Sequence, residues 1–175
     1  MTDEPKLAGG SGPATPQALF ARLDELGIQT RTVAHPPVFT VEESQQLRGQ
    51  LPGGHCKNLF LRDKKGRMWL VVCAEETAVD LKALGKRLGG RLSFGSPRRL
   101  MEHLGVIPGA VTPFAIVNDH DVAVRVVIER RLADLPLLNF HPLDNAQTTA
   151  IATTDLLRFL EAENHAPELL ELPTR

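Results

Sequence analysis

Gly54-His55-Cys56-Lys57-Asn58-Leu59-Phe60-Leu61-Arg62-Asp63 is the stretch whose reading decides the fold. Leu59-Phe60-Leu61 calls for burial. The Asp63-Lys64-Lys65-Gly66 turn then leads into a second apolar run, Arg67-Met68-Trp69-Leu70-Val71-Val72. Two apolar runs joined by a short polar turn ending in glycine predict a β-hairpin. Lys57 stands at the mouth of the first strand, held near apolar walls. Such a place suits either an edge lysine that discourages aggregation or a charge with work to do.

Outward from the hairpin, the turn and cap signals predict alternating helices and strands. Thr15-Pro16 opens a helix with the apolar face Leu19, Phe20, Leu23 and Leu26, ended by Gly27. Gln29 to Ala34 reads as a strand that stops at His35-Pro36-Pro37. Thr40 caps an expected helix from Val41 to Leu51, and Pro52-Gly53-Gly54 loops into the lysine strand. Asp80 caps a helix through Leu88, Arg91 to Phe94 is a short strand, and Ser96-Pro97 opens a helix ended by Gly105. Phe114 to Val117 and Val122 to Glu129 read as strands about the Asn118-Asp119-His120-Asp121 turn. Leu137 to Phe140 and Thr149 to Ala152 follow as strands. Thr154-Asp155 caps a last helix through Glu163, and Glu168 to Leu172 is a final strand. Helices mixed with hairpins predict an α/β or α+β fold with a largely antiparallel or mixed sheet.

The chain has 175 residues, enough for one domain with a sizeable core. Residues 1–14, rich in Gly, Pro and charge, read as a disordered leader, and 15–175 as the folded domain. A net charge of −1 excludes the overall basic field of a protein that wraps a long nucleic acid. Local basic groups remain: Lys82, Lys86, Arg87 and Arg91, with Arg98 and Arg99 nearby. These suit a solvated helix face or contact with phosphates. Two cysteines, Cys56 and Cys73, are too few for a disulfide framework and show no zinc spacing. No apolar stretch approaches the length of a signal or membrane segment, so a cytoplasmic protein is expected.

The residues able to carry chemistry are few. Lys57 is an ammonium able to hold a phosphate, a ribose or a developing oxyanion; a general-base role would need a strongly depressed pKa. Asn58 points to the opposite face in a regular strand, and either binds substrate or satisfies a strand end. Cys56 reads as a small buried side chain. Gly105-Val106-Ile107-Pro108-Gly109-Ala110-Val111-Thr112-Pro113 forms a rigid bend with accessible backbone N–H groups, or a plain connector. His141 sits in Leu138-Asn139-Phe140-His141-Pro142-Leu143-Asp144-Asn145, where a histidine is structural or a site residue. The other histidines show no metal or triad spacing.

Taken in order, the lysine strand, the glycine-proline loop and the histidine segment resemble the YbaK/ProX-type editing domains. These are stand-alone aminoacyl-tRNA deacylases related to the insertion domain of bacterial prolyl-tRNA synthetases. The resemblance runs from about Thr15 to the C-terminus and is strongest to the branch acting on Ala-tRNA(Pro). It implies a single compact domain with a curved mixed β-sheet flanked by helices. It implies deacylation associated with Lys57, and a substrate pocket using Asn58, Phe39, Thr40, Gly105, Pro108, Gly109 and His141, with Asn145 anchoring the histidine loop. Neither metal nor cofactor is required. The implied partners are the acceptor end of mischarged tRNA(Pro) and prolyl-tRNA synthetase. Deacylation of Cys-tRNA(Pro) or another small mischarged residue, and a catalytically silent tRNA- or synthetase-binding module, stay open beside it.

Overall fold

The computed structural model describes residues 4–36 and 51–175. Helix α1 covers Pro16–Glu25 and strand β1 Thr30–Ala34. The hairpin is β2, Gly54–Arg62, and β3, Met68–Ala74. Then come α2 (Leu81–Leu88), β4 (Ser93–Phe94) and α3 (Pro97–Leu104). Strands β5 (Val124–Glu129), β6 (Leu137–Phe140) and β7 (Gln147–Ala152) follow, with α4 (Thr153–Ala162) and β8 (Glu168–Leu170) at the end.

The strands form one mixed sheet in the order β1-β7-β6-β2-β3-β5-β8, with β4 also paired to β2. Pairings β1–β7, β6–β7, β2–β3 and β2–β4 are antiparallel, while β2–β6, β3–β5 and β5–β8 are parallel. The sequence of β3 is apolar without alternation because both of its faces are covered. Met68, Leu70 and Val72 join Phe60, Val126 and Ile128 in the larger core, with Leu19, Leu23, Leu104, Phe114 and Phe159 from the helical layer. Trp69, Val71 and Cys73 join Leu61, Val79, Leu84 and Val127 in a smaller core on the opposite face, under α2. The period of two along β2 and β3 thus separates two cores.

The helix signals act as the sequence implies. Thr15, Asp80 and Ser96 accept hydrogen bonds from the N–H groups of Ala18, Ala83 and Arg99. Gly89 closes α2 and Gly105 closes α3 in left-handed conformations, φ 86° and 65°.

Four expectations need correction. Phe114 to Val117 is not a strand but part of a 3₁₀ helix, Pro113–Asn118. Pro113 opens it, Thr112 Oγ1 accepts from Phe114 N–H, and Phe114, Ala115 and Ile116 are all buried without alternation. Asn118 and Asp119 tie its end down: Asn118 Nδ2 donates to Leu104 O at 2.9 Å, and Asp119 accepts from Ala123 and Val124 N–H. The last helix is capped by Ala152 with no side-chain bond; Thr153 instead sends its hydroxyl to Leu135 O. The last strand ends at Leu170 rather than Leu172. In the expected leader, Leu7 is buried, Ala8 N–H donates to Glu102 O at 2.8 Å, and Ala14 N–H donates to Asn118 Oδ1 at 2.8 Å, so this part lies on the body. The expected helix from Val41 lies outside the described residues up to Leu51.

Candidate active site at a break in the edge of the central hairpin

Strand β2 is paired with β3 from Cys56 to Arg62, and its other edge is shared. Strand β6 pairs there with Gly54 and His55, and β4 with Leu61 and Arg62. No described strand pairs with residues 56–60 on that edge. Gly95 N–H donates to Phe60 O, so the even-numbered residues of β2 aim their backbone groups at this edge. Asn58 N–H and C=O therefore face into the break.

The glycine-proline loop comes to the same place. Asn58 Nδ2 donates to Val111 O at 3.1 Å. Its Oδ1 is buried and has no partner among the described residues, and the same holds for Arg62 Nε further along β2. A buried amide oxygen without a donor is costly, and points to a ligand or water that supplies one. Within the loop, Pro108 and Gly109 lie in a short 3₁₀ turn, Pro108–Ala110. Gly105 plays a different part: a Cβ there would fall 2.5 Å from Asn118 Nδ2 and 2.9 Å from Pro13. Its bare backbone lets the α3 terminus close against Asn118, so its contacts lie in the frame of the loop.

Lys57 belongs to the other face. It is cross-strand from Cys73, whose S–H points to Lys57 O, and it shares that face with Leu59 and Leu61. Among the described residues its ammonium makes no ion pair and no hydrogen bond. The parallel register Gly54↔Leu138 and His55↔Asn139 puts His55 and Asn139 on one face. Alternation along β2 carries Lys57 to the His55 face, and Asn58, with the loop bonded to it, to the opposite one. His141 follows the end of β6 at Phe140.

His141 is held by its Nδ1, 2.8 Å from Gln147 O. A carbonyl only accepts, so Nδ1 carries the proton. Burial pushes the imidazole below its ordinary value, with His35 adding to this against the Gln147 carbonyl and Asp144. A neutral ring protonated on Nδ1 leaves Nε2 as an acceptor. His35 stands beside it, ring centroids 6.2 Å apart, bonded through Nε2 to Thr148 Oγ1 at 2.8 Å. Asn145 is buried in the following loop, which Asp144 folds by accepting from Ala146 N–H and Gln147 Nε2. Phe39 and Thr40 lie outside the described residues.

Neither cysteine is a nucleophile at neutral pH. Burial pushes the Cys56 thiol up to about 12 and the Cys73 thiol up to about 11. Asn139 was missed as a brace by sequence reasoning. Its Nδ2 donates to Pro52 O at 2.8 Å and pins β6 to the mouth of β2. Gly53, φ 100°, admits it: a Cβ there would meet Asn139 Nδ2 and Leu137 O at 3.0 Å. The Gly53-Gly54 pair was the available signal, since adjacent glycines before a strand mark a close backbone approach.

Comparison with known proteins identifies the family. The aminoacyl-tRNA editing domain family matches residues 35–159. The prolyl-tRNA editing protein ProX of Acetoanaerobium sticklandii is 38% identical over 158 residues, covering 89% of this chain and 96% of that protein. The multifunctional Ser/Thr-tRNA deacylase ProXp-y of Escherichia coli K12 is 28% identical over 156 residues, covering 87% and 92%. A solved structure of a candidate trans-editing enzyme for prolyl tRNA synthetase superposes with a TM-score of 0.71 at 19% identity, covering 91% of this chain and 97% of that one, which supports the fold. The chain belongs to the aminoacyl-tRNA editing family and is an aminoacyl-tRNA hydrolase.

Proposed function

We propose that this protein is a trans-editing deacylase that hydrolyses Ala-tRNA(Pro) and spares Pro-tRNA(Pro). The observation that carries the reading is a lysine with no ion pair or hydrogen bond among the described residues, on the strand whose open edge Asn58 faces, with the buried Asn58 Oδ1 also lacking a partner among them. The family match and the likeness to a prolyl-tRNA editing protein support the substrate class.

The reaction adds water to the ester carbonyl and breaks the bond to the ribose oxygen, which takes the proton. A negative charge develops on the carbonyl oxygen. Lys57 stabilises it or holds the ribose or a phosphate, without serving as the base. Asn58 N–H, aimed into the break, is a second donor for that oxygen. Asn58 Oδ1 is a ready acceptor for the substrate's ammonium or hydroxyl. The neighbouring ribose hydroxyl and His141 Nε2 are the acceptors able to order the attacking water.

Such an activity answers a physical difficulty. A synthetic site shaped for proline rejects the smaller alanine only by lost apolar contact, worth about 1–3 kcal/mol. A second pocket that excludes proline by size supplies the remaining discrimination. The protein would act in the cytoplasm on the tRNA acceptor end, beside prolyl-tRNA synthetase, through a domain spanning 15–175. Another small mischarged residue is the second reading, favoured by the deacylase relative named for Ser and Thr.

The test is a deacylation panel of tRNA(Pro) charged with alanine, cysteine, serine or proline. Rapid loss of alanine with proline retained is expected. Preference for another residue moves the protein to the second reading, and inertness toward all four would leave only a binding module.

A further inference from the structure

Phe94 is 62% exposed, the largest value among the exposed large hydrophobic side chains of the described residues. It sits in β4 directly across from Leu61, and antiparallel partners share a face. Phe94 is therefore on the Lys57 face of β2. Lys57, Leu59, Val79, Leu81, Phe94 and Arg175 line one groove of about 340 Å³. Leu59, Val79 and Leu81 make apolar walls, and among the described residues the charged side chains that line it are both cations. From Leu81 the chain enters α2, where Lys82 and Lys86, with Arg91, line a second cleft of about 690 Å³.

An exposed aromatic ring, an apolar floor and cationic side chains are what an unpaired nucleotide needs. The ring stacks on a base face, and the positive potential draws the backbone phosphates. We propose that this groove binds an unpaired nucleotide at the tRNA 3′ end, its base stacked on Phe94. Lys57 and Arg175 supply the attracting charge, and the cations along α2 continue it toward the rest of the acceptor stem. The proposal rests on the editing reading and deepens it: Lys57 becomes the point where the bound nucleotide meets the ester. An acidic peptide would use the same cations without needing the ring, so dependence on the ring and on the unpaired nucleotides separates the two occupants.

The experiment measures binding of two uncharged acceptor-stem hairpins, one with the full unpaired 3′ end and one trimmed of it. Phe94→Ala should weaken the full hairpin about 10-fold and leave the trimmed one unchanged. Phe94→Trp should retain the full affinity. On Ala-tRNA(Pro), the loss in Phe94→Ala should appear as a rise in KM. Equal affinity of wild type and Phe94→Ala for the full hairpin, or equal losses on both hairpins, overturns the proposal. A protein inert toward every mischarged tRNA that still shows the Phe94-dependent difference sinks the editing reading and keeps the groove.

Discussion

At the turn end of the β2–β3 hairpin, Asp63 is buried and its carboxylate is fully engaged: it accepts from Lys65 N–H, from Arg67 N–H, and from Arg67 Nε at 2.6 Å. Six residues earlier, within β2, Lys57 has apolar neighbours and no ion pair among the described residues. The two charges belong to one hairpin yet serve different ends. Where every donor and acceptor is matched, the charge fixes a turn. Where none is matched, the fold keeps a charge ready for something outside it. A buried charge is tolerated only when paired, so the half-buried, unpaired one is the better pointer to chemistry.

The largest effect that would break this contrast lies at Lys57. Lys57→Ala should reduce single-turnover deacylation about 100-fold or more, the scale of losing one stabiliser of a developing oxyanion. Its melting temperature should stay with the wild type, because no partner is stranded. Near-normal turnover in the folded variant would make Lys57 an edge lysine and nothing more.

Asp63→Asn is the mirror experiment. The amide keeps the size of the side chain but strands Arg67 and weakens two bonds to the turn backbone. Melting should fall by several degrees, while kcat/KM of the folded protein stays unchanged. An unchanged melt would show that Asp63 adds little. Lost activity in a stable variant would show that the two hairpin ends are coupled.

This contrast was only half legible in the sequence. The hairpin could be read from its apolar runs and from Gly66, which adopts φ 84° in the turn. The caps at Thr15, Asp80 and Ser96 could be read because each acts within three residues of itself. The break in the β2 edge could not, since it depends on Leu138 pairing with Gly54 and Phe94 with Leu61 across long stretches of chain. The strand misread at Phe114 has the same origin: an apolar run of four looks alike whether a ladder or a closed turn buries it. Lys57 and His141 were singled out by resemblance, and the approach of β6 to the mouth of β2 follows only from the β2–β6 register. Phe94 read as the end of a short strand, with nothing local to say that it would stay uncovered.

The smallest effect concerns a second matched charge, and it sharpens what matching contributes. Asp119 and His165 are both buried and lie 2.8 Å apart, with Asp119 also accepting from Ala123 and Val124 N–H. Burial works to raise the Asp119 carboxyl, but the bonds from His165, Val124 and Ala123 outweigh it and hold the group below the ordinary range. Burial likewise works to lower His165, and the bonds to Asp119 and to Glu163 O outweigh it and hold the ring above its ordinary value. The signs fix the window. A lowered carboxylate contributes stability that is present above its unfolded pKa, about 3.9, and is lost as pH falls through the folded value. A raised imidazole contributes stability that is present below its unfolded pKa, about 6.5, and is lost as pH rises through the folded value. The pair should therefore contribute most between about pH 4 and 6.5. His165→Gln keeps a polar side chain there but cannot take the charge. The melting-temperature gap between wild type and this variant should be widest inside that window and narrow on both sides of it. A gap that stays flat with pH would mean that the pair is neutral throughout and contributes packing alone.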